Sequence, residues 1–481
     1  MRQGAAIDRL VSDSRRAGPG AAFFAWPGRS GDGRRHIPQA IARGCAAVLW
    51  ESEGYAWDRA FESGRAVPNA GVKGLRRRAG AIAHAFYGAP SEAMWLCGVT
   101  GTNGKTSCSQ WIARLLALHG EKAAVIGTLG AGFPPELDEA ANTTPDVLDV
   151  HALLARFRDA GAAAVAMEAS SIGLDQGRVD AVAFDCALFT NLSHDHLDYH
   201  GTMAAYAEAK ARLFEAPGLQ AAVLNLDDAF GVELAARLAA RGLRTIGYGF
   251  TRRPEGEFLA ATPLPGGRVR IDSSWGAVDV AIAPLGRYNV ANALGVLGCL
   301  LAKGLPFDAA AALLERLPAV PGRMQRVGDR PLVVVDYAHT PDALDKVLAA
   351  LQPVARERGG RLVAVFGAGG GRDAAKRPQM GLAAARRADR IVLTSDNPRD
   401  EDPLAILEAV RRGVPPADLV RCELDPDRAR AIRAAIAAAG EADVILLAGK
   451  GHEATQEIAG RRLPFSDAAV AAQALAARAG G

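Results

Sequence analysis

The chain has 481 residues, of which 49% are apolar and 23% charged, and a net charge of only +3. That length exceeds what one hydrophobic core usually serves, so several domains are expected, and the small charge gives no reason to invoke nucleic acid. No apolar run reaches the about 20 residues a membrane helix needs, and the N-terminal stretch MRQGAAIDRL lacks a signal-peptide core, so a cytoplasmic protein with no membrane insertion is expected.

Residues 1–90 read as a small α/β unit that closes at Tyr87-Gly88-Ala89-Pro90, glycine and proline punctuation ahead of a new strand. The run Arg76-Arg77-Arg78 within it reads as a solvated helix face. A second block, 91–322, opens with MWLCGVTGTNGKTS: an apolar strand, a glycine-rich turn, then a helical pattern through WIARLLAL. Apolar strands follow at 162–167, 186–190 and 221–226 with helical segments between most of them, which predicts a mostly parallel sheet covered on both faces. GGRVRIDSSWGAVDVAIAPL alternates instead, like antiparallel strands at an edge. The third block, 323–481, shows buried strands at 332–335, 362–366, 390–394 and 444–448 and is expected to be Rossmann-like. Ligands in such sheets gather at the carboxyl ends of the strands, which marks the loops DYAHTPD, GAGGGRD, SDNPRD and GKGHE. Cys45, Cys97, Cys108, Cys186, Cys299 and Cys422 are scattered without a C-x-x-C pair, as fits buried thiols in a reducing cytoplasm.

Gly98 to Thr106 joins a strand to a helix through glycines. Backbone N–H groups there close around phosphate oxygens, the helix N-terminus and Lys105 add positive charge, and the Thr106 hydroxyl is placed for magnesium. The loop departs from the strict phosphate-binding pattern at Val99, where glycine is usual. A nucleoside triphosphate is the expected ligand; a kinase, an ATP-driven machine and a ligase would all carry such a loop.

TGTNGKT resembles the Mur ligase loop, and further stretches fall in that family's order. They are Asn142-Thr143-Thr144-Pro145, Glu168-Ala169-Ser170-Ser171, Thr190 to Asp198, Leu285-Gly286-Arg287-Tyr288-Asn289-Val290, Pro321-Gly322-Arg323 and Asp336-Tyr337-Ala338-His339-Thr340-Pro341. The resemblance covers nearly the whole chain and implies three domains: a UDP-binding N-terminal unit, a central ATPase unit and a C-terminal amino-acid-binding unit. It is strongest to members that add the third residue of the muramyl peptide, and Asp396-Asn397-Pro398-Arg399 matches those that add meso-diaminopimelate. Diaminopimelate carries one carboxylate that lysine lacks, and a guanidinium is its planar two-pronged partner.

What the resemblance implies is an ATP-dependent amide ligase working through an acyl phosphate. The catalytic set is Lys105, Glu168, His196 and Lys210, with Lys210 carbamylated by carbon dioxide and magnesium held by Thr106, Glu168, His196 and that carbamate. ATP falls to Gly101, Thr102, Asn103, Gly104, Lys105, Thr106, Ser107, Asn289, Arg323 and Asp336. UDP-N-acetylmuramoyl-L-alanyl-D-glutamate falls to Ser12, Ser14, Arg29, Ser30, Gly31, Asn142, Thr143, Thr144, Ser170, Gln176 and Arg178. Diaminopimelate falls to Arg372, Asp396, Asn397, Pro398, Arg399, Gly449 and Glu453. His194, His196 and His200 lie close enough in sequence to suggest zinc, but no cysteine pair accompanies them. Ile172 stands where the family commonly has histidine. A monomer is expected, with the third block closing over the site. The competing readings are a lysine-adding or folylpolyglutamate-type ligase and, from another class, a non-catalytic nucleotide-binding regulator.

Overall fold

The computed structural model describes residues 6–28, 31–62, 66–140, 142–251, 256–283, 286–371 and 373–479. Three α/β units follow one another along the chain, the class that strand–helix alternation predicts. Strands Arg9–Val11, Ala21–Ala25, Ala47–Glu51 and Asn69–Val72 pair in chain order, all parallel. Ala21–Ala25 is buried throughout, and successive side chains face opposite ways, so Phe23 and Phe24 enter two different cores. The Phe24 core also holds Leu75, Ala79 and Ala83 of the helix Leu75–Phe86 and Val147 and Leu148 of the central unit, which fastens the first sheet in place.

The central sheet runs, from one edge, Gly276–Ala281, Arg268–Ser273, Glu257–Pro263, Arg244–Gly249, Ala221–Asn225, Cys186–Phe189, Trp95–Thr100, Ala164–Glu168, Ala123–Gly127, Gly130–Phe133, Glu136–Asp138. Its middle is parallel, and the alternating stretch supplies an antiparallel edge as read. The opposite edge is antiparallel too. It gives no sequence signal because Gly130–Phe133 and Glu136–Asp138 are too short, one glycine-rich and one charged, to show a period. Helix Arg287–Lys303 is apolar on most of its circumference and shares one core with helix Lys105–Leu118 and the sheet.

The third sheet orders Gln325–Asp329, Leu332–Asp336, Val444–Ala448, Leu362–Phe366, Arg390–Leu393 and Cys422–Leu424, parallel except for the first pair. A separate hairpin, Thr455–Ile458 with Arg461–Pro464, leans on the loop at Arg399.

One ion pair beneath these loops is wholly enclosed. Arg428 and Asp467, each the first residue of a helix, have fully buried side chains. The guanidinium donates to both carboxylate oxygens at 2.7 and 2.6 Å, to Ala448 O at 2.9 Å and to Ser395 O at 3.3 Å. It thereby ties two strand ends to the last helix. Asp467→Ala should leave an uncompensated buried cation and cost about 3–5 kcal/mol, read as a fall in urea midpoint. The double change Arg428→Met with Asp467→Leu should cost less than the single one.

Candidate active site

Strand Trp95–Thr100 sits mid-sheet and delivers the glycine-rich loop to its carboxyl end. Val99 is fully buried in that strand, registered against Leu188 and Glu168, so the usual glycine position is occupied here by strand. Gly101 has φ +144°, and a Cβ there would lie 1.9 Å from Thr190 Oγ1; Gly104 has φ +89° and would meet Asn292 Oδ1 at 2.6 Å. Only glycine fits either place.

Lys105 folds over the loop and donates to Gly101 O and Thr102 O, both at 2.9 Å. Burial lowers its pKa, opposed by the Glu168 and Asp195 carboxylates. Glu168 ends its strand buried and accepts at one oxygen from Thr128 N (2.8 Å) and at the other from the Thr128 and Thr106 hydroxyls (3.0 Å each). The Thr106 hydroxyl also accepts from Arg323 Nη2 at 3.0 Å.

Lys210, on helix Met203–Ala211, is 1% exposed and donates to the same Gly101 carbonyl at 2.8 Å, its Nζ 4.2 Å from the Tyr206 ring centre. Burial first, and the Lys105 charge second, hold its pKa well below the ordinary lysine value. His196 lies at φ +52° with its side chain 42% exposed; partial desolvation first, and then the Lys105 and Lys210 charges, push its imidazole down to about 4 despite Asp195 at 3.6 Å. Burial raises the Asp195 carboxyl, but His196, His339 and Lys376 outweigh it and hold its pKa below the usual value. His194 is exposed, and His200 pairs with Ser171 Oγ at 3.0 Å. Among the described residues these three histidines bring no cluster of metal-ligating atoms together.

A cavity of about 480 Å³ joins this loop to Thr128, Asn142, Thr143, Thr144, Ser170, Arg178, Asp195 and, across from them, Lys376, Asp396, Asn397, Arg399, Gly449 and Glu453. Ile172 gives it an apolar wall. Thr144 Oγ1 bonds Glu168 O (2.9 Å) and lies 3.0 Å from Ser170 Oγ, while Arg178 donates to Thr144 O at 2.7 Å and to Gln176 Oε1 at 2.7 and 3.0 Å. Gln176 itself lines a different, larger cavity beside Arg76 and Arg212. A third cavity, about 570 Å³, is bounded by Ser107, Asn289, Arg323 and Asp336. Burial raises the Asp336 carboxyl, which accepts from Met324 N and Ala338 N at 2.8 Å. The Arg323 guanidinium lies 4.4 Å over the Tyr337 ring.

The first sheet's residues stand apart from these cavities. Ser14 Oγ bonds Gln39 Oε1 at 2.8 Å, Ser12 bonds Asp146 beside the Thr144 turn, and Gly31 O accepts from Gly28 N at 2.7 Å. Arg29, Ser30 and Arg372, with Leu285 of the quoted motif, lie outside the described residues.

Sequence reasoning missed Lys450. It is fully buried and donates to Asn397 Oδ1 (3.0 Å) and Glu453 Oε2 (2.9 Å). Glu453, read as an acceptor for a substrate ammonium, thus already has a cation: burial raises its pKa, but Lys450 prevails and lowers it. Asp396 is 7% exposed with its pKa raised by burial, and its Oδ1 finds no hydrogen-bond partner among the described residues. Pro398 is a backbone element: its carbonyl would be 1.9 Å from a Cβ on Gly370. Arg399 Nε lies 3.3 Å from Glu457 Oε2, and its Nη1 donates to Gly370 O. The GKGHE loop did flag this place; what sequence could not show is which of its side chains turns inward.

Three models of Mur ligase domains match the chain. They are described as Mur ligase family, catalytic domain (residues 6–87), Mur ligase middle domain (99–300) and Mur ligase, glutamate ligase domain (322–451). The chain is 49% identical over 477 residues to UDP-N-acetylmuramoyl-L-alanyl-D-glutamate--2,6-diaminopimelate ligase of Chromobacterium violaceum, covering 98% of this chain and 95% of the relative. The chain belongs to the Mur ligase family.

To the protein of the same name in Ralstonia nicotianae the identity is 52% over 486 residues, covering 98% of this chain and 93% of the relative. A solved structure of a protein with that name shares 36% identity at a TM-score of 0.67, covering 98% of this chain and 95% of that one. For this Mur ligase the depressed imidazole makes a direct prediction. A folded pKa near 4 against 6.5 for the free group means the fold resists protonation there. The stability His196 contributes is complete above pH 6.5 and is lost as pH falls from 6.5 toward 4. Histidine-selective NMR should show its ring neutral at pH 5.5; a midpoint near 6.5 would mean that the ring faces bulk water.

Proposed function

We propose that this chain joins meso-2,6-diaminopimelate to the D-glutamate of UDP-N-acetylmuramoyl-L-alanyl-D-glutamate, with ATP cleaved to ADP and phosphate, in peptidoglycan precursor synthesis. The observation that carries the reading is the shared cavity: Lys105, Glu168 and the Asp396–Arg399 loop face one space of about 480 Å³. The relatives' names, at 49% and 52% identity over nearly the full chain, support it.

A carboxylate is a poor acyl donor until its oxygen is converted to phosphate, and making that acyl phosphate requires two anions to meet. Lys105 and the N–H groups of Gly101 to Ser107 hold the triphosphate and offset the repulsion. Asn289, Arg323 and Asp336, around the neighbouring cavity, take the base and ribose. Ser12, Ser14, Arg29, Ser30 and Gly31 take the uridine end, Asn142, Thr143 and Thr144 the sugar and pyrophosphate, and Ser170, Gln176 and Arg178 the peptide carboxylates. Asp396, Glu453 and Arg399 orient the amino acid so that its amine faces the acyl carbon, joined by Arg372, Asn397, Pro398 and Gly449.

The donor set suits magnesium: the Glu168 carboxylate with the Thr106 hydroxyl 3.0 Å away, and an imidazole at His196 kept neutral. When bound, magnesium neutralises phosphate charge during transfer. Lys210 suits carbamylation, because carbon dioxide adds only to a neutral amine and its surroundings favour that form. A monomer is part of this proposal, and six free cysteines accord with the cytoplasm. Among the described residues no helix is long and apolar enough to cross a membrane.

Phosphate release from ATP with the muramyl dipeptide should require diaminopimelate, with lysine at least about tenfold poorer. Arg399→Ala should erase most of that preference, and Lys105→Ala should slow release by about 10²-fold or more. Release with neither amino acid, or at full speed in Lys105→Ala, would overturn the reading. In ¹³C-bicarbonate the protein should show a carbamate NMR signal that is absent in Lys210→Arg.

A further inference from the structure

Three cysteines that stand far apart in the sequence meet inside the central unit. Cys97 lies on strand Trp95–Thr100, Cys186 is registered beside it on strand Cys186–Phe189, and Cys299 faces them from helix Arg287–Lys303. Their sulfur atoms all lie within 4.8 Å of one another, and the Cys97 and Cys299 sulfurs are 3.7 Å apart. Among the described residues no other three side chains of metal-ligating type come so close. All three are at most 1% exposed.

We propose that Cys97, Cys186 and Cys299 form a trithiol site that captures trivalent arsenic as arsenite. Charge selects the ligand. The cluster lies in an apolar core whose buried members are hydrophobic side chains, so a bound ion must leave little net charge. Three thiolates around zinc leave one negative charge and lack the fourth ligand that zinc takes. Around copper(I) they leave two. Around arsenic(III) they leave none, and a pyramidal centre needs no further donor. The exchange is balanced without redox chemistry. Three As–O bonds of arsenous acid break and three As–S bonds form, and each departing hydroxide takes one thiol proton, giving three waters. Cys97 and Cys299 are both lifted well above the ordinary thiol value and keep the protons that this exchange consumes, whereas hydrogen bonds from these two lower Cys186 to about 5; where that sulfur is a thiolate, its departing hydroxide takes a proton from solvent.

The route in is short. Cys97 is two residues from the start of its strand and Cys186 is the first of its own, while Cys299 is one turn from the helix end at Lys303. The sulfurs therefore lie about 7 Å from the end of the sheet opposite the phosphate loop. On that side the half-buried Trp95 lies two residues before Cys97 on the same strand face, and Lys303, one turn past Cys299, has its Nζ 5.7 Å from the Trp95 ring and 2.7 Å from Glu121. Arsenous acid is small and uncharged at neutral pH, so passage costs an opening of these side chains and no buried charge. Once bound, arsenic would link the strand that carries the phosphate loop to the helix that carries Asn289.

The test is native mass spectrometry of the full-length protein after incubation with sodium arsenite, with ultraviolet As–S absorption alongside. The expected result is one arsenic per chain, with the mass gain of one arsenic less three hydrogens, reversed by excess dithiothreitol. Cys299→Ala and, independently, Cys186→Ala should each lose it, whereas Cys45→Ala should keep it. No uptake by the folded wild type would mean three small core side chains only. Uptake that survives in both variants would place arsenic at other thiols, and capture of zinc or copper(I) in its stead would overturn the charge argument.

Discussion

Two lysines share one carbonyl. Lys105 and Lys210 both donate to Gly101 O, at 2.9 and 2.8 Å, Lys210 fully buried and Lys105 half-buried at the cavity wall. Two ammonium groups cannot rest there together, since desolvation penalises each and their mutual repulsion adds to it. The surroundings break the tie. Asp195 supports the charge on both lysines, but Glu168 adds its support at Lys105 alone, while Lys210 is the more deeply buried and is opposed by the Lys105 charge. One lysine keeps its cation and the other is driven toward a free amine. That asymmetry gives the phosphate loop its charge and leaves beside it the one lysine form with which carbon dioxide can react.

Holding that arrangement takes the whole central sheet. Gly101 can be nothing but glycine, because its φ is positive and Thr190, at the end of the neighbouring strand, leaves no room for a side chain. Thr102 is gripped from the other side by Tyr206 Oη at 3.1 Å and Ser193 O at 3.2 Å. The third unit then reaches the loop through hydrogen bonds that include Arg323 to Thr106 at 3.0 Å and Asn103 to Asp342 at 3.3 Å. Both bridge elements whose strands end toward the same cavity, as parallel sheets place their loops. The nucleotide loop is thus positioned by backbone register in its own sheet and by side chains from the next.

Much of this could be read from the chain because it is local. A strand that runs into glycines and a helix announces a phosphate loop within a dozen residues, and long apolar strands announce parallel sheets. The edge strands Gln325–Asp329 and Cys422–Leu424 escaped notice, being short and polar and so carrying no period. Lys450 escaped for another reason. Between two glycines it looks like a solvated loop lysine, and only the folded loop shows that Asn397 and Glu453 enclose it. The cysteine trio was invisible in principle, because its members are brought together by sheet register and by a helix that crosses over, and no spacing rule reaches that far. Resemblance marked Glu453 as a partner for substrate but could not reveal that it is already committed to Lys450.

In the proposed function, selection among amino acids rests on the backbone at Arg399 as well as on its side chain. Arg399 sits at φ +52°, a left-handed conformation that a non-glycine residue holds only when its surroundings compensate. Two hydrogen bonds to the hairpin do so: Arg399 N donates to Glu457 O at 3.0 Å and Ala459 N donates to Arg399 O at 2.7 Å. The guanidinium lines the cavity with its Nε held by Glu457 and its Nη1 by Gly370 O. In the proposed function a second carboxylate on the incoming amino acid would pair with this guanidinium, whereas a ligand ending in an ammonium would meet a cation held by Glu457 and Gly370 O. Moving the guanidinium aside would break its own contacts with Glu457 and Gly370 O, so in the proposed function discrimination between the two ends would follow from charge at a site those contacts hold in place.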